Sequence, residues 1–381
     1  MTPVELSRTV LRAVRRAVDG GELSVTVPGR AVVTPPGPGG CGDYATNIAL
    51  QLARPAGQPP AKVAEILRPH LLDTPGVTDV VVTGPGFLNI SLRDTTPAGL
   101  VEEILRRGLR YGHSDRPTGQ IVRLHAPHEV RAVVVMDAIA RILVSQGALV
   151  RTSSQAPPRP EWTDLLGARV DASDTPDAPA PFNVDVCPVA APAPSGTPDA
   201  RNPLDINVRP VPAPADPTPL GRDAARWALL YPAAHDRPRI TDEHLVQRES
   251  NPLFRVRYAH ARTRALSRNA ADLGFDPHPG DVRPGDPHPG EPRVTAGVLI
   301  AALADHPRIL GVAATAHAPD RLARHLVTVA DATLALLPTV LPLGDEKPSV
   351  AHRSRLALAE AAGTVLAGGL TLLGIDAPDH I

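Results

Sequence analysis

Forty-five of the 381 residues are proline, and where they fall limits what the rest of the chain can become. A pyrrolidine ring fixes φ and removes a backbone donor, so it is excluded from helix interiors and central strands. The rings crowd into residues 151–219, in runs such as Ala178-Pro179-Ala180-Pro181 and Val211-Pro212-Ala213-Pro214-Ala215. They return in two copies of Asp-Pro-His-Pro-Gly, at Asp276–Gly280 and Asp286–Gly290. Regular structure is therefore expected before about 150 and after about 220, with extended or linker-like chain between. Hydrophobic residues make up 43% of the sequence but aromatic ones only 3%, so the cores must be aliphatic.

The net charge is −1, so any site for a polyanion must be a local patch. Lysine occurs only at Lys62 and Lys347. Nearly all the positive charge is arginine, whose planar fork suits phosphate, although a GC-rich coding bias accounts for much of the count. Cys41 and Cys187 are too few and too far apart for a disulfide framework or a zinc site. Arg8, Arg12, Arg15 and Arg16 are followed by no continuous apolar core, which argues against a secretory signal. No apolar run is expected to reach membrane-spanning length. A soluble, cytoplasmic chain with no membrane and no DNA partner is expected, and no metal site.

Periodicity divides the chain into three. Residues 1–95 read as a small α/β domain. It has helical spacing over Val4, Leu6, Val10, Leu11 and Val14, short strands at Ser24–Val27 and Ala31–Val33, and a helix at Asp43–Ala53 ending before Pro55. A second amphipathic helix runs over Val63, Ile66, Leu67 and Leu71, and Val77–Thr83 and Phe87–Leu92 form a hairpin about Gly84-Pro85-Gly86. Residues 96–219 read as a reduced Rossmann-like α/β middle with a Pro-rich linker. Here Leu100, Ile104, Leu105 and Leu109 line a helix, Ile121–Leu124 is a strand and Val130–Leu143 a helix stopping at Gly147. Ala168–Val170, Phe182–Val189 and Leu204–Val208 are candidate strands. Residues 220–381 read as an all-α bundle, with helices at Arg222–Leu230 and from Asn251-Pro252 to Leu273. Further stripes fall at Leu322, Leu326, Val329, Thr333 and Leu336 and at Leu356, Leu366, Leu370 and Leu373.

Three stretches carry a resemblance. The first is Gly42-Asp43-Tyr44-Ala45-Thr46-Asn47-Ile48-Ala49-Leu50-Gln51-Leu52-Ala53, and the second Gly84-Pro85-Gly86-Phe87-Leu88-Asn89-Ile90. The third begins at Asp223-Ala224-Ala225-Arg226-Trp227 and Asn251-Pro252-Leu253-Phe254-Arg255-Val256-Arg257-Tyr258-Ala259-His260-Ala261-Arg262. It continues through Leu341-Pro342-Leu343-Gly344-Asp345-Glu346 and His352-Arg353-Ser354-Arg355-Leu356-Ala357-Leu358. In order and spacing these resemble arginyl-tRNA synthetase: its N-terminal additional domain, then its DALR anticodon-binding bundle. The resemblance implies that Phe87 and Asn89 meet the D-loop of a tRNA, the ring by stacking and the amide by reading a base edge. It implies anticodon-side contacts from Tyr258 and His260, with Arg255, Arg257, Arg262, Arg264 and Arg353 on phosphates. Arginine tRNA is the implied partner, and a full-length synthetase a second one.

The family's catalytic signature is degenerate here. Where a His-x-Gly-His motif is expected the chain has His125-Ala126-Pro127-His128-Glu129, one residue too far from Asp137-Ala138-Ile139-Ala140-Arg141. A ring at Pro127 would fill space the family leaves as bare backbone for adenine. No lysine precedes Leu220-Gly221-Arg222-Asp223-Ala224. The expected function is therefore non-catalytic tRNA binding, with no cofactor. The rivals are an arginine-tRNA ligase, which would need ATP and Mg, and a protein-interaction module without RNA. His278 and His288, in the two Pro/Gly strings, lack the ligand density of a metal site.

Overall fold

The computed structural model describes residues 3–34, 36–37, 41–74, 76–92, 96–115, 117–173, 203–280 and 295–381. The expected strand at Phe182–Val189, the run at 178–181, Cys187 and the second Asp-Pro-His-Pro-Gly string with His288 lie outside these residues. The chain forms two compact units, Met1–Gly99 and Leu100–Ile381.

In the first unit α1 (Pro3–Asp19) is followed by β1 (Val33–Thr34), β2 (Tyr44–Thr46), α2 (Ile48–Ala56), α3 (Pro60–Leu72), β3 (Val77–Thr83) and β4 (Phe87–Leu92). The strands pair antiparallel in the order β1-β2-β4-β3. Leu6, Val10 and Val14 of α1, Val63 and Leu67 of α3 and Leu88 and Ile90 of β4 meet in one aliphatic core. The hairpin forms as expected. Its turn needs Gly86, at φ +136°, because a Cβ there would stand 2.9 Å from the Pro60 backbone. Two expectations are corrected. Ser24–Val27 is not a strand, since the pairing positions beside β2 are taken by β1 on one side and β4 on the other. The helix expected from Asp43 begins only at Ile48, because Tyr44–Thr46, rich in β-favouring side chains, pairs with β4. It also continues past Pro55 and ends on Gly57 in the left-handed region.

The second unit opens with α4 (Pro97–Arg107) and then runs β5 (Ile121–Ala126), α5 (Val130–Ser145), β6 (Leu149–Ser154), α6 (Pro160–Asp164), β7 (Ala172–Ser173) and β8 (Leu204–Asn207). All four strands are parallel, in the order β7-β6-β5-β8. The strand expected at Ala168–Val170 is displaced to Ala172–Ser173, where it pairs with the end of β6. The helices α7 (Gly221–Leu230), α8 (Pro252–Asp272), α9 (Thr295–Thr315), α10 (Pro319–Leu336) and α11 (Val350–Leu373) follow. One core runs without a break from α5 through α7 into the bundle, so the boundary expected at 219/220 is a change of secondary structure and not a gap in packing.

An ionic hub ties these layers together. The Asp137 carboxylate on α5 accepts from Arg226 Nη2 of α7 at 2.6 Å and from Arg141 Nε at 2.9 Å. Arg226, fully buried, donates its other nitrogens to the carbonyls of Leu166 (2.9 Å) and Leu373 (2.7 Å). The expectation that no apolar run reaches membrane-spanning length is corrected: α9 and α11 are both long and apolar enough. Most of α11 is buried inside the bundle, and α9 sets Leu299, Leu303 and Leu310 into the same core.

Candidate nucleic-acid interface

A parallel sheet offers its ligand crevice where strand order reverses. Here that point is the C-terminal end of β5, with β6 on one side and β8 on the other. It is where His125 and His128 sit. His125 Nδ1 lies 3.0 Å from Ser153 Oγ, and the His125 carbonyl accepts from Val208 N at 2.7 Å. His128 is exposed, its ring tilted against Trp162 with centroids 4.9 Å apart. The two histidines thus face different neighbours.

Glu129 stands between the end of β5 and the start of α5. As the N-cap of α5 its Oε2 accepts from Ala132 N at 2.8 Å, while Oε1 accepts from Ala213 N at 3.0 Å. One carboxylate therefore satisfies the helix N-terminus and also draws the chain after β8 across it. Two residues on, Arg131 is buried with no carboxylate contact among the described residues. Its guanidinium donates to five carbonyls, of Leu229, Val211, Asp236, Pro232 and Ala233, at 2.7–3.1 Å. Burial lowers its pKa, against attraction from Glu129, Asp236 and Asp320. Neither Glu129 nor Arg131 stood out in the sequence, because their partners are separated from them by roughly a hundred residues.

The residues expected to meet RNA divide by exposure. In the first unit Phe87, at the start of β4, is 40% exposed and Asn89 only 2%. Asn89 Nδ2 donates to Thr83 Oγ1 at 2.6 Å and weakly to the Val81 carbonyl at 3.4 Å. Without RNA, the Asn89 amide is thus placed as a brace across the hairpin and does not present a free edge to solvent. His260 is also turned inward. It is 5% exposed and its Nδ1 lies 3.0 Å from the Pro378 carbonyl, with burial lowering its pKa more than that contact raises it.

The remainder line α8, which starts on an N-cap, Asn251, that accepts from Leu253 N and Phe254 N and donates to the carbonyls of His244 and Val246. Tyr258, 38% exposed, stacks on Phe254 one turn earlier with centroids 5.4 Å apart and planes 18° from parallel. Phe254 is a contributor the candidate set lacked; its i, i+4 spacing to Tyr258 was the available signal. Arg255 reaches Asp331 (2.8 Å), Arg257 Asp223 (3.4 Å) and Arg264 Asp379 (3.2 Å). The buried Nε atoms of Arg255 and Arg257 have no hydrogen-bond partner among the described residues. Arg262 is exposed. Arg353 is placed apart from this row: it donates to the Asp276 carbonyl at 3.3 Å and lies over the Phe275 ring, bracing the loop after α8. A cleft of about 400 Å³, lined by Arg222, His244, Gln247, Phe254, Arg257 and His380 among others, opens beside the aromatic pair.

Residues 5–92 match the family described as the arginyl tRNA synthetase N terminal domain, and residues 256–381 the DALR anticodon binding domain. Arginine–tRNA ligases of Paenarthrobacter aurescens and Renibacterium salmoninarum align with the whole chain over their own whole length, each at 27% identity. The chain belongs to the arginyl-tRNA synthetase family. The fold agrees with that family. The arginyl-tRNA synthetase of Thermus thermophilus superposes over all of both chains with a TM-score of 0.61 at 16% identity. That of Plasmodium falciparum does so at 0.57 and 10%. Similarity to the synthetase family is uneven along the chain. The Paenarthrobacter alignment runs to 558 positions, 177 more than the 381 residues present. The arginine–tRNA ligase of Frankia alni reaches 38% identity over 157 residues, 39% of this chain and 28% of that protein.

Proposed function

We propose that the chain is a non-catalytic, cytoplasmic tRNA-binding member of the synthetase family, acting on arginine tRNA. The observation that carries this reading is Glu129. A nucleotide phosphate at the switch point would need the N–H groups at the start of α5, and the Glu129 carboxylate already holds Ala132 N and Ala213 N. A second anion there would meet that charge in place of the helix dipole. That arrangement argues against ATP binding at this end of the sheet. What survives is chemistry suited to RNA: an exposed ring at Phe87, the Phe254–Tyr258 stack, and arginines on α8 whose acidic partners are exposed enough to be exchanged for phosphate.

The names of the relatives favour a second reading, an arginine–tRNA ligase, and both histidines of the signature remain at His125 and His128. Such an enzyme would take ATP, Mg and arginine. One pair of assays separates the two. Filter binding at stated salt should retain arginine tRNA at low micromolar protein, while incubation with arginine, ATP and Mg should yield no arginyl-tRNA. Charging by the purified protein would install the ligase, and failure to retain any tRNA would remove the binding reading.

A further inference from the structure

Four arginines at the start of the chain, Arg8, Arg12, Arg15 and Arg16, take no part in the grips described above. Between Leu6 and Val18 there is no acidic residue, although the whole chain is close to neutral. Leu6, Val10, Ala13, Val14 and Ala17 are buried in the first unit's core. At 100° per residue, Arg8, Arg12 and Arg15 fall on the line diametrically opposite them, and all three are exposed. The row spans about 10 Å at 1.5 Å per residue, and its next position is Asp19. Arg12 reaches only Thr9 Oγ1, at 2.9 Å, and Arg8 and Arg15 have no ion pair among the described residues. Arg16, on the neighbouring line, is the one that pairs, with Asp73 at 3.4 Å.

We propose that this outward row of α1 is a docking face for the phosphodiester backbone of RNA, separate from the contact at Phe87. Three forks in a row with no acidic partner among the described residues, on a rigid helix, neutralise successive phosphates without reading sequence. An anionic lipid surface fits less well, because the apolar face an interfacial helix would insert is already spent on the protein core. The face is distinct from Phe87 on geometric grounds. Leu88, Ile90 and Leu92 of β4 share the core with α1, so the alternation of the strand sends Phe87 to the other side of the sheet. The proposal does not depend on the RNA being a tRNA.

The test compares the full chain with the R8A/R12A/R15A variant on poly(U) and on arginine tRNA between 50 and 200 mM salt. Each lost phosphate contact lowers the salt slope by about 0.7 on single-stranded RNA. The wild type should therefore lose about 20-fold more poly(U) affinity across that range than the variant, and R8K/R12K/R15K should keep the wild-type slope. An unchanged circular dichroism spectrum verifies the fold. An unaltered slope for both RNAs overturns the proposal. So does binding to phosphatidylserine vesicles that is stronger than to RNA and lost in the variant, or a wild type that binds neither RNA. The tRNA reading is judged separately, by preference for arginine tRNA over poly(U): the preference can vanish while the slope effect stands, and the reverse.

Discussion

At the level of single side chains, burial separates groups that the sequence presented as equals. Asn89 and Tyr258 were both legible as RNA contacts from the strings around them, but a string does not record which way a side chain ends up facing. Asn89 lies inside the hairpin and Tyr258 outside the bundle. Substituting each should therefore move a different measurement. Tyr258→Ala removes a stacking face and should weaken tRNA binding by about 5- to 150-fold, the range of one base–aromatic stack, with the unfolding midpoint unchanged. Asn89→Ala leaves the Thr83 hydroxyl short of a partner and should cost about 1–3 kcal/mol in denaturant unfolding, while the affinity of the folded fraction holds. A reversed pattern would mean that Asn89 turns outward when RNA arrives. Glu129 was invisible for another reason: its second partner, Ala213, lies 84 residues away, and no local spacing announces a contact of that reach.

Among the elements, those with one-sided periodicity were readable and those without a polar face to set the period were not. The stripes of α3, α8 and α10 and the hairpin of β3 and β4 formed where expected. β6 passed unnoticed because Leu149–Ser154 alternates only weakly, and α9 because its Ala, Leu, Ile and Val residues surround the whole axis, leaving no polar face to mark a period. The packing of α9 on α10 has a chemical cost. His306 and His325 stack with centroids 5.3 Å apart, Tyr111 stacks on His306 at 6.0 Å, and His306 Nδ1 and His325 Nε2 have no hydrogen-bond partner among the described residues. Burial holds His306 well below the ordinary imidazole range and brings His325 to about 4, with Asp305 pulling His325 up and Arg308 pushing it down. The unfolded chain thus takes up protons first. The contribution to stability is complete above the unfolded value of about 6.5 and is lost as pH falls from there toward 4, at about 1.4 kcal/mol per pH unit for each group. Urea midpoints measured from pH 7.5 to 4.5 should fall accordingly, and His325→Phe should flatten the decline. A flat profile in the wild type would mean that the pair is hydrated.

For the molecule as a whole, the flanking regions were identifiable because motif residues there keep their spacing, and the middle was legible as an α/β region with a parallel sheet, but its strand positions and packing were not, because they rest on contacts between distant segments. The small parallel sheet and the bundle share one core, which no composition shift at 219/220 disclosed. Two global outcomes follow. ATP with Mg should leave the thermal midpoint where it is, whereas tRNA at 100 times its Kd should add about 2.7 kcal/mol of stability; a nucleotide-induced rise would restore the ligase. Arg226→Met should cost about 1.5–3 kcal/mol in unfolding of the second unit, since it removes the shorter charged partner of the buried Asp137 carboxylate and leaves Arg141 alone to offset it. That same hub bears on how the chain is made. Asp137 leaves the ribosome 89 residues ahead of Arg226, and Arg226 147 residues ahead of the Leu373 carbonyl that completes its shell. The first unit, by contrast, has every strand it needs once β4 has emerged. Synthesis therefore holds a finished N-terminal body on a chain whose remaining three-quarters, about 290 residues, must be completed before the Arg226 guanidinium finds its last carbonyl, and until then that cation of the future core stays in water.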